Sequence, residues 1–229
     1  MSALAREATD PMTPQARHIA VVSAGLSDPS STRLLADRLA DATAAALSAD
    51  GIVPEVHHIE LRLLATAVAD ALLTHTNSRD LQAALDEVEQ ADALIAVTPT
   101  FKASYSGLFK SFWDLVDEKA LVDVPVLLGA TGGTPRHSLV VDFAMRPLFS
   151  YVRADALPRA VFAAADDWGE VTGGQESRRD DPLEQRIAEA GADLASRVGR
   201  LPARARRGTG ELRPLDVTPF GALLRGVGA

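Results

Sequence analysis

Short apolar runs alternate along the chain with longer stretches of helical periodicity. His18–Ser23 (HIAVVS) reads as a buried strand, and Thr32–Ala49 places Leu34, Leu35, Leu39, Ala42 and Ala46 at helical spacing. Val53–Leu61 alternates as a second strand, Arg79–Ala91 is a second helix, and Ala93–Thr98 (ALIAVT) is a third strand that Pro99 stops. Gly107–Val116 is helical, Val124–Ala130 is a fourth strand, Ser138–Val152 a fourth helix, Arg159–Ala165 a fifth strand and Pro182–Val198 a fifth helix. Right-handed crossovers place the intervening helices on both faces of such a sheet. The expected fold class is therefore α/β, a three-layer sandwich around a five-stranded parallel sheet in the order 2-1-3-4-5. Ligands of these sheets bind beyond the carboxyl ends of the strands, so the loops after strands 1, 3 and 4 are where chemistry is expected.

Three segments depart from the pattern. Residues 1–16 form a polar leader, and Asp166–Asp181 (DDWGEVTGGQESRRDD) reads as a mobile excursion before the last helix. Residues 199–229 carry six arginines against Glu211 and Asp216, whereas the whole chain has a formal charge of −8. That contrast allows a basic tether across an acidic body, ending in the apolar stretch Val217–Leu224; a solvated tail is the alternative. The domain division expected is leader 1–16, ligand-binding domain 17–198 and Arg-rich tail 199–229.

Composition narrows the chemistry. The 229 residues include no cysteine, which excludes disulfides, thiolate nucleophiles and Cys-based metal sites, and makes a reducing cytoplasm the simplest address. Net acidity argues against nucleic-acid binding, and no run of apolar residues is long enough to suggest a signal or a membrane span. His57 and His58 are neighbours on a strand and point to opposite faces, and no His/Asp/Glu group has metal-ligand spacing in the sequence, so no metal is expected.

The loop after strand 1, Ser23–Thr32 (SAGLSDPSST), runs into a helix and offers four hydroxyls, Ser27, Ser30, Ser31 and Thr32, beside the helix N-terminus. It suits a terminal monophosphate, since it lacks both GxxxxGK[ST] and GxGxxG; the alternative is that Ser30 or Ser31 is simply an N-cap. The loop after strand 3, Thr98–Gly107 (TPTFKASYSG), offers Phe101 and Tyr105 as a wall for a flat heteroaromatic ring, while Phe109, Phe112 and Trp113 just beyond are assigned to packing. After strand 4, Ala130–His137 (ATGGTPRH) lets backbone N–H groups approach a ligand at Gly132 and Gly133, with His137 as a ring-edge donor or an ordinary turn residue.

At these loops the chain resembles the NAD(P)H-dependent FMN reductases of the flavodoxin-like superfamily, in particular the reductase components of two-component alkanesulfonate monooxygenase systems. The matching stretches are Ser30–Thr32, Thr98–Lys110 (TPTFKASYSGLFK) and Ala130–Pro147 (ATGGTPRHSLVVDFAMRP), within a likeness spanning roughly residues 17–165. The resemblance implies a flavodoxin-like fold and FMN held at Ser23, Leu26, Ser27, Ser30, Ser31 and Thr32. It adds Pro99, Thr100, Phe101, Lys102, Ala103, Ser104 and Tyr105 on one side of the ring, and Thr131, Gly132, Gly133 and His137 on another. It further implies NAD(P)H as hydride donor, a homodimer or homotetramer, and a flavin-dependent monooxygenase as a partner. At Phe143 relatives often carry tyrosine.

Hydride transfer to a flavin requires no protein acid or base, in keeping with the lack of a catalytic dyad, and no catalytic side chain is assigned. Two alternatives share the scaffold: a flavodoxin-like electron carrier without NAD(P)H activity, and a quinone or azo reductase. Lys102 and the Gly132–Gly133 turn favour the reductase. Self-association is expected through the two helices bearing Phe109, Phe112 and Trp113 and Phe143, Met145, Leu148 and Phe149.

Overall fold

A computed structural model describes residues 16–168 and 182–204. The leader before Ala16, the excursion from 169 to 181 and the tail from 205, with its apolar end, lie outside the described residues. Strand β1 (Ala16–Ser23) is followed by α1 (Ser31–Ala49), β2 (Val53–Glu60), α2 (Leu61–Thr74), α3 (Arg79–Glu89) and β3 (Ala93–Phe101). Next come β4 (Ser104–Tyr105), α4 (Gly107–Trp113), β5 (Pro125–Gly132), α5 (Arg146–Tyr151), β6 (Asp155–Ala156), β7 (Val161–Ala164) and α6 (Pro182–Gly199).

The main sheet is parallel and runs β2-β1-β3-β5-β6, with β7 also paired to β5 and β4 paired antiparallel to the end of β3. In the five-strand count this is the expected order 2-1-3-4-5. The fifth position is divided: β6 pairs with Pro125–Val126 and β7 with Gly129–Gly132, and Leu157-Pro158-Arg159-Ala160 interrupts them. Pro158 and the residues next to it leave the ladder and Ala165 enters a 3-10 turn, so the expected strand over Arg159–Ala165 shortens to Val161–Ala164.

Pro99 does not stop β3. The strand continues to Phe101 because β1 ends beside Val97, where Ala24 N–H closes the ladder, while Pro99 pairs on its other side with Thr131 of β5. A missing N–H costs little at a position with no neighbour on that edge. Beyond Pro99 the chain folds back on itself, Thr100 opposite Tyr105 and Phe101 opposite Ser104.

Alternation along the strands divides the core into two layers. Ile19, Val21, Ile95 and Val97 face α1 and α6, whereas Ala20, Val22, Leu94 and Ala96 face α2, α3, α4 and the segment leading into α5. Helices α1 and α6 pack so closely that a Cβ on Gly191 would stand 2.8 Å from Ala42 backbone and side-chain atoms. The expected helix over Ser138–Val152 starts late, at Val140, and is two pieces, a π-helical turn at Val141–Met145 and then α5, with a separate 3-10 turn before it at Pro135–His137.

The arginine-bearing segment after α6 is anchored at its start, contrary to a flexible tether beginning at residue 199. Arg204 donates its backbone N–H to Asp92 Oδ1 (2.6 Å) and its guanidinium to the carbonyls of Ala91 (2.9 Å) and Ala120 (2.6 Å). The other oxygen of Asp92 accepts from His18 N–H (2.8 Å), and the buried Arg17 donates to Leu201 O (2.6 Å). Asp166–Trp168, expected within the mobile excursion, form a 3-10 turn fixed by Asp167, which accepts from Ala164 N–H and pairs with Arg186.

Candidate functional site

The first loop is shaped by its helix. Ser30 is the N-cap of α1, its side chain accepting from Arg33 N–H (3.2 Å), and the first turn of α1 contains no acidic residue. The N-cap reading of Ser30 therefore holds, and its hydroxyl hydrogen stays available to a ligand oxygen. The loop wraps tightly onto this cap: a Cβ on Gly25 would lie 2.0 Å from Ser30 Oγ. Thr32, buried in the same turn, hydrogen-bonds Thr131 Oγ1 at 2.7 Å and so ties the first loop to the end of β5. The N-terminus of a helix with exposed hydroxyls and no acid concentrates positive potential suited to an anion.

The second loop is the β3–β4 hairpin. Lys102 and Ala103 occupy its turn with φ of 50° and 64°, left-handed values that L residues adopt at a cost. Buried Thr98 holds the hairpin's return, its Oγ1 accepting from Ser106 N–H at 3.0 Å, and Ser106 Oγ in turn caps α4. This arrangement presents Phe101, 46% exposed, at the rim.

A cleft of about 460 Å³ opens between these loops at the carboxyl ends of the strands. Leu26, Ser27, Ser30, Ser31, Thr32, Pro99, Thr100, Phe101, Thr131, Gly132 and Gly133 line it. The other six expected residues lie around it. Ser23 is buried at the end of β1. Ala103, Ser104 and His137 border an adjoining hollow with Arg136, and Tyr105 lines a broad groove on the far side of the hairpin and packs on Phe109. Lys102 is exposed at the turn. Gly132 lies against the Phe162 ring, whereas Gly133 faces open space.

Two lining residues were missed by sequence reasoning, Ala165 and Trp168, which close the cleft from the segment after β7. Trp168 stacks under Arg38, whose Cζ is 5.2 Å from the ring centroid. An aromatic inside an otherwise polar stretch, the Trp of DDWG, was the signal available.

Near the first loop Arg33 bridges Asp37 and Glu60, and Arg62 reaches Asp28 and Glu60. The flanking cations are thus engaged, leaving hydroxyls and helix N–H groups as the donors for an anion. The volume falls within the ~300–1,000 Å³ of small-molecule sites. The donor set fits a flavin mononucleotide: an anion cradle at one end, backbone edges and one exposed aromatic at the other. Among the described residues no helix is long and apolar enough to cross a membrane.

The chain is similar to known proteins over this same region. It is 42% identical over 150 residues to the FMN reductase (NADPH) of Pseudomonas aeruginosa, covering 66% of this chain and 78% of that one. With an NADH-dependent FMN reductase SfnF of Pseudomonas fluorescens it shares 40% over 182 residues, 79% of this chain and 91% of the relative. An oxidoreductase of Corynebacterium diphtheriae has a similar solved structure, with TM-score 0.73 and 42% identity, over 82% of this chain and 99% of that chain. Residues 17–169, which hold the cleft and all three loops, match the family model, and the chain belongs to the NADPH-dependent FMN reductase family.

Proposed function

We propose that the cleft binds FMN, with its phosphate against Ser27, Ser30 and Ser31 at the N-terminus of α1 and its ring between the β3–β4 hairpin and the Thr131–Gly133 backbone. The chain is an NAD(P)H-dependent FMN reductase. Bound flavin supplies the chemistry, accepting a hydride from a nicotinamide. The protein's own residues do three things. The first loop and helix N-terminus hold the phosphate by charge-assisted hydrogen bonds, and Thr32–Thr131 fixes the distance between that anchor and the β5 turn. Pro99, Thr100 and Phe101 border the ring, and the Gly132–Gly133 backbone aims N–H groups where negative charge accumulates on it. No side chain needs to move a proton.

The observation that carries this reading is the coincidence of a hydroxyl-rich helix N-terminus, its first turn free of acidic residues, with an aromatic rim in a single cleft. Reduced flavin leaving this site would be available to a flavin-dependent monooxygenase, the partner that the resemblance of the three loops implies. The test is nicotinamide oxidation with FMN, with riboflavin and with neither, paired with flavin affinity. FMN is expected to bind more tightly than riboflavin, by roughly 1.5–3 kcal/mol for each charge-assisted bond retained. The double variant S27A/S31A, which spares the Ser30 cap and the Thr32–Thr131 bond, should reduce that preference. Equal affinity for the two flavins overturns the phosphate assignment.

A further inference from the structure

Three ligand-type side chains from three elements meet on the α3 face of the sheet. His18 stands near the start of β1 and is 5% exposed, His57 is on edge strand β2, and Glu87 is on α3. In the parallel register Ala20 lies beside His57, so the two histidines are diagonal neighbours on one face, with ring centroids 4.4 Å apart. Glu87 Oε2 is 2.7 Å from His18 Nε2 and 3.4 Å from His57 Nδ1, and one ligand atom from each residue lies within 4.8 Å of the others. That carboxylate oxygen is buried, yet it accepts no aligned hydrogen bond despite the two imidazole nitrogens beside it.

Two imidazoles and a carboxylate suit a borderline divalent ion, which takes nitrogen and oxygen at about 2.0–2.2 Å; hard calcium and magnesium prefer oxygen alone. Ligand atoms on a tetrahedral ion at those lengths stand about 3.3–3.5 Å apart. The His57–Glu87 spacing fits that as it stands, and the His18–Glu87 spacing meets it after opening by about half an ångström, a small torsion of the Glu87 side chain. His57 is half-exposed, which gives the ion an entry path and a water in the fourth position.

We propose that His18, His57 and Glu87 form a zinc-type divalent metal site that cross-links β1, the edge strand β2 and α3. The site is separate from the flavin cleft: His18 lies five residues before the end of β1, roughly 16 Å at about 3.3 Å per residue. Its occupancy fastens the outermost strand to the helix above it and takes no part in hydride transfer.

The test uses the full chain, free of any affinity tag and stripped with a chelator, titrated with Zn(II) by calorimetry and with Co(II) by visible absorption. One equivalent per chain is expected, with the ligand-field bands of a four- or five-coordinate cobalt and a melting temperature that rises with Zn(II). H57Q and E87Q should each weaken Zn(II) binding about tenfold or more. H58Q, on the opposite face of the same strand, should leave it unchanged. Because H57Q alters a half-exposed side chain and E87Q is nearly isosteric, FMN reduction at the wild-type rate serves as the check on folding; if one variant misfolds, the other decides. Zinc affinity that is the same in wild type and in a folded H57Q or E87Q chain, or the absence of stoichiometric binding, overturns the site and leaves a histidine–glutamate contact only.

Discussion

Single residues set the local shape of the cleft, and the turn at Lys102–Ala103 shows how. Both residues take left-handed φ, where an L side chain costs roughly 1–2 kcal/mol, and the sequence offers neither the Asn nor the Gly that favours such a turn. Strain of this kind persists where the surroundings enforce it, here the Thr98–Ser106 bond below and α4 beyond. Ala103→Gly should therefore stabilise the chain by about 0.5–1 kcal/mol, the strain relieved less about 0.4–1 kcal/mol of added chain entropy, read from the urea midpoint. The same change should weaken FMN binding by freeing the hairpin that presents Phe101. A second residue carries a pH dependence. Burial pushes the His58 imidazole below its ordinary value, against the pull of Asp37 at 3.2 Å, a carboxylate that also serves Arg33. A histidine with a lowered folded value binds its proton more readily when unfolded. Stability is thus full above the ordinary value near 6.5 and is lost as pH falls below it, and H58Q should flatten the melting temperature over that interval.

Secondary elements were legible where apolar and polar positions contrast and illegible where they do not. β1, β3, β5, α1, α3 and α6 follow directly from their patterns. α2 does not stand out in the sequence because LRLLATAVADALLT is apolar nearly all round: Leu61, Val68 and Ala71 are buried while Leu63 and Leu73 are exposed, so no period is visible. The continuation of β3 past Pro99 depends on which edge of the strand has a neighbour, which is tertiary information. The site followed the same rule. Loops entering helices with many hydroxyls could be read, whereas Trp168 reaches the cleft through a turn fixed by Asp167 and Arg186, a pair 19 residues apart. The anchor after α6 was hidden for a similar reason, since Arg204 looks like any other arginine of a basic tail. Arg204→Ala removes guanidinium bonds to carbonyls of the α3–β3 loop and of Ala120, and should cost about 1.5–3 kcal/mol by chemical denaturation. Truncation after residue 204 should leave that contribution in place, so the pair separates the anchor from the remainder of the tail.

At the scale of the whole molecule, the face bearing α4 and α5 is the one we propose for self-association, and of the residues the sequence suggested Phe143 is the one that stands exposed on it. Phe109, Phe112, Trp113, Met145 and Phe149 are all buried within the chain, where their rings pack edge to face. What remains outside is Leu139, Phe143 and Tyr151, the last two 77% exposed, beside a groove of about 940 Å³ whose wall includes Trp113 and its buried, unpartnered indole nitrogen. Sedimentation should find a dimer or tetramer for the wild type and a smaller species for F143S/Y151S; equal masses would remove this face from consideration. The closing contacts around Asp92 have a practical consequence of another kind. They gather both exits of the described body, at Ala16 and Arg204, under the amino-terminal edge of the sheet, the thickness of a full strand away from the cleft mouth. A linker attached at either exit starts from the side remote from that mouth. A body of residues 16–204 can accordingly be tethered to a bead with its cleft mouth turned outward, whereas a flavin-consuming enzyme fused at either exit starts on the side away from that mouth.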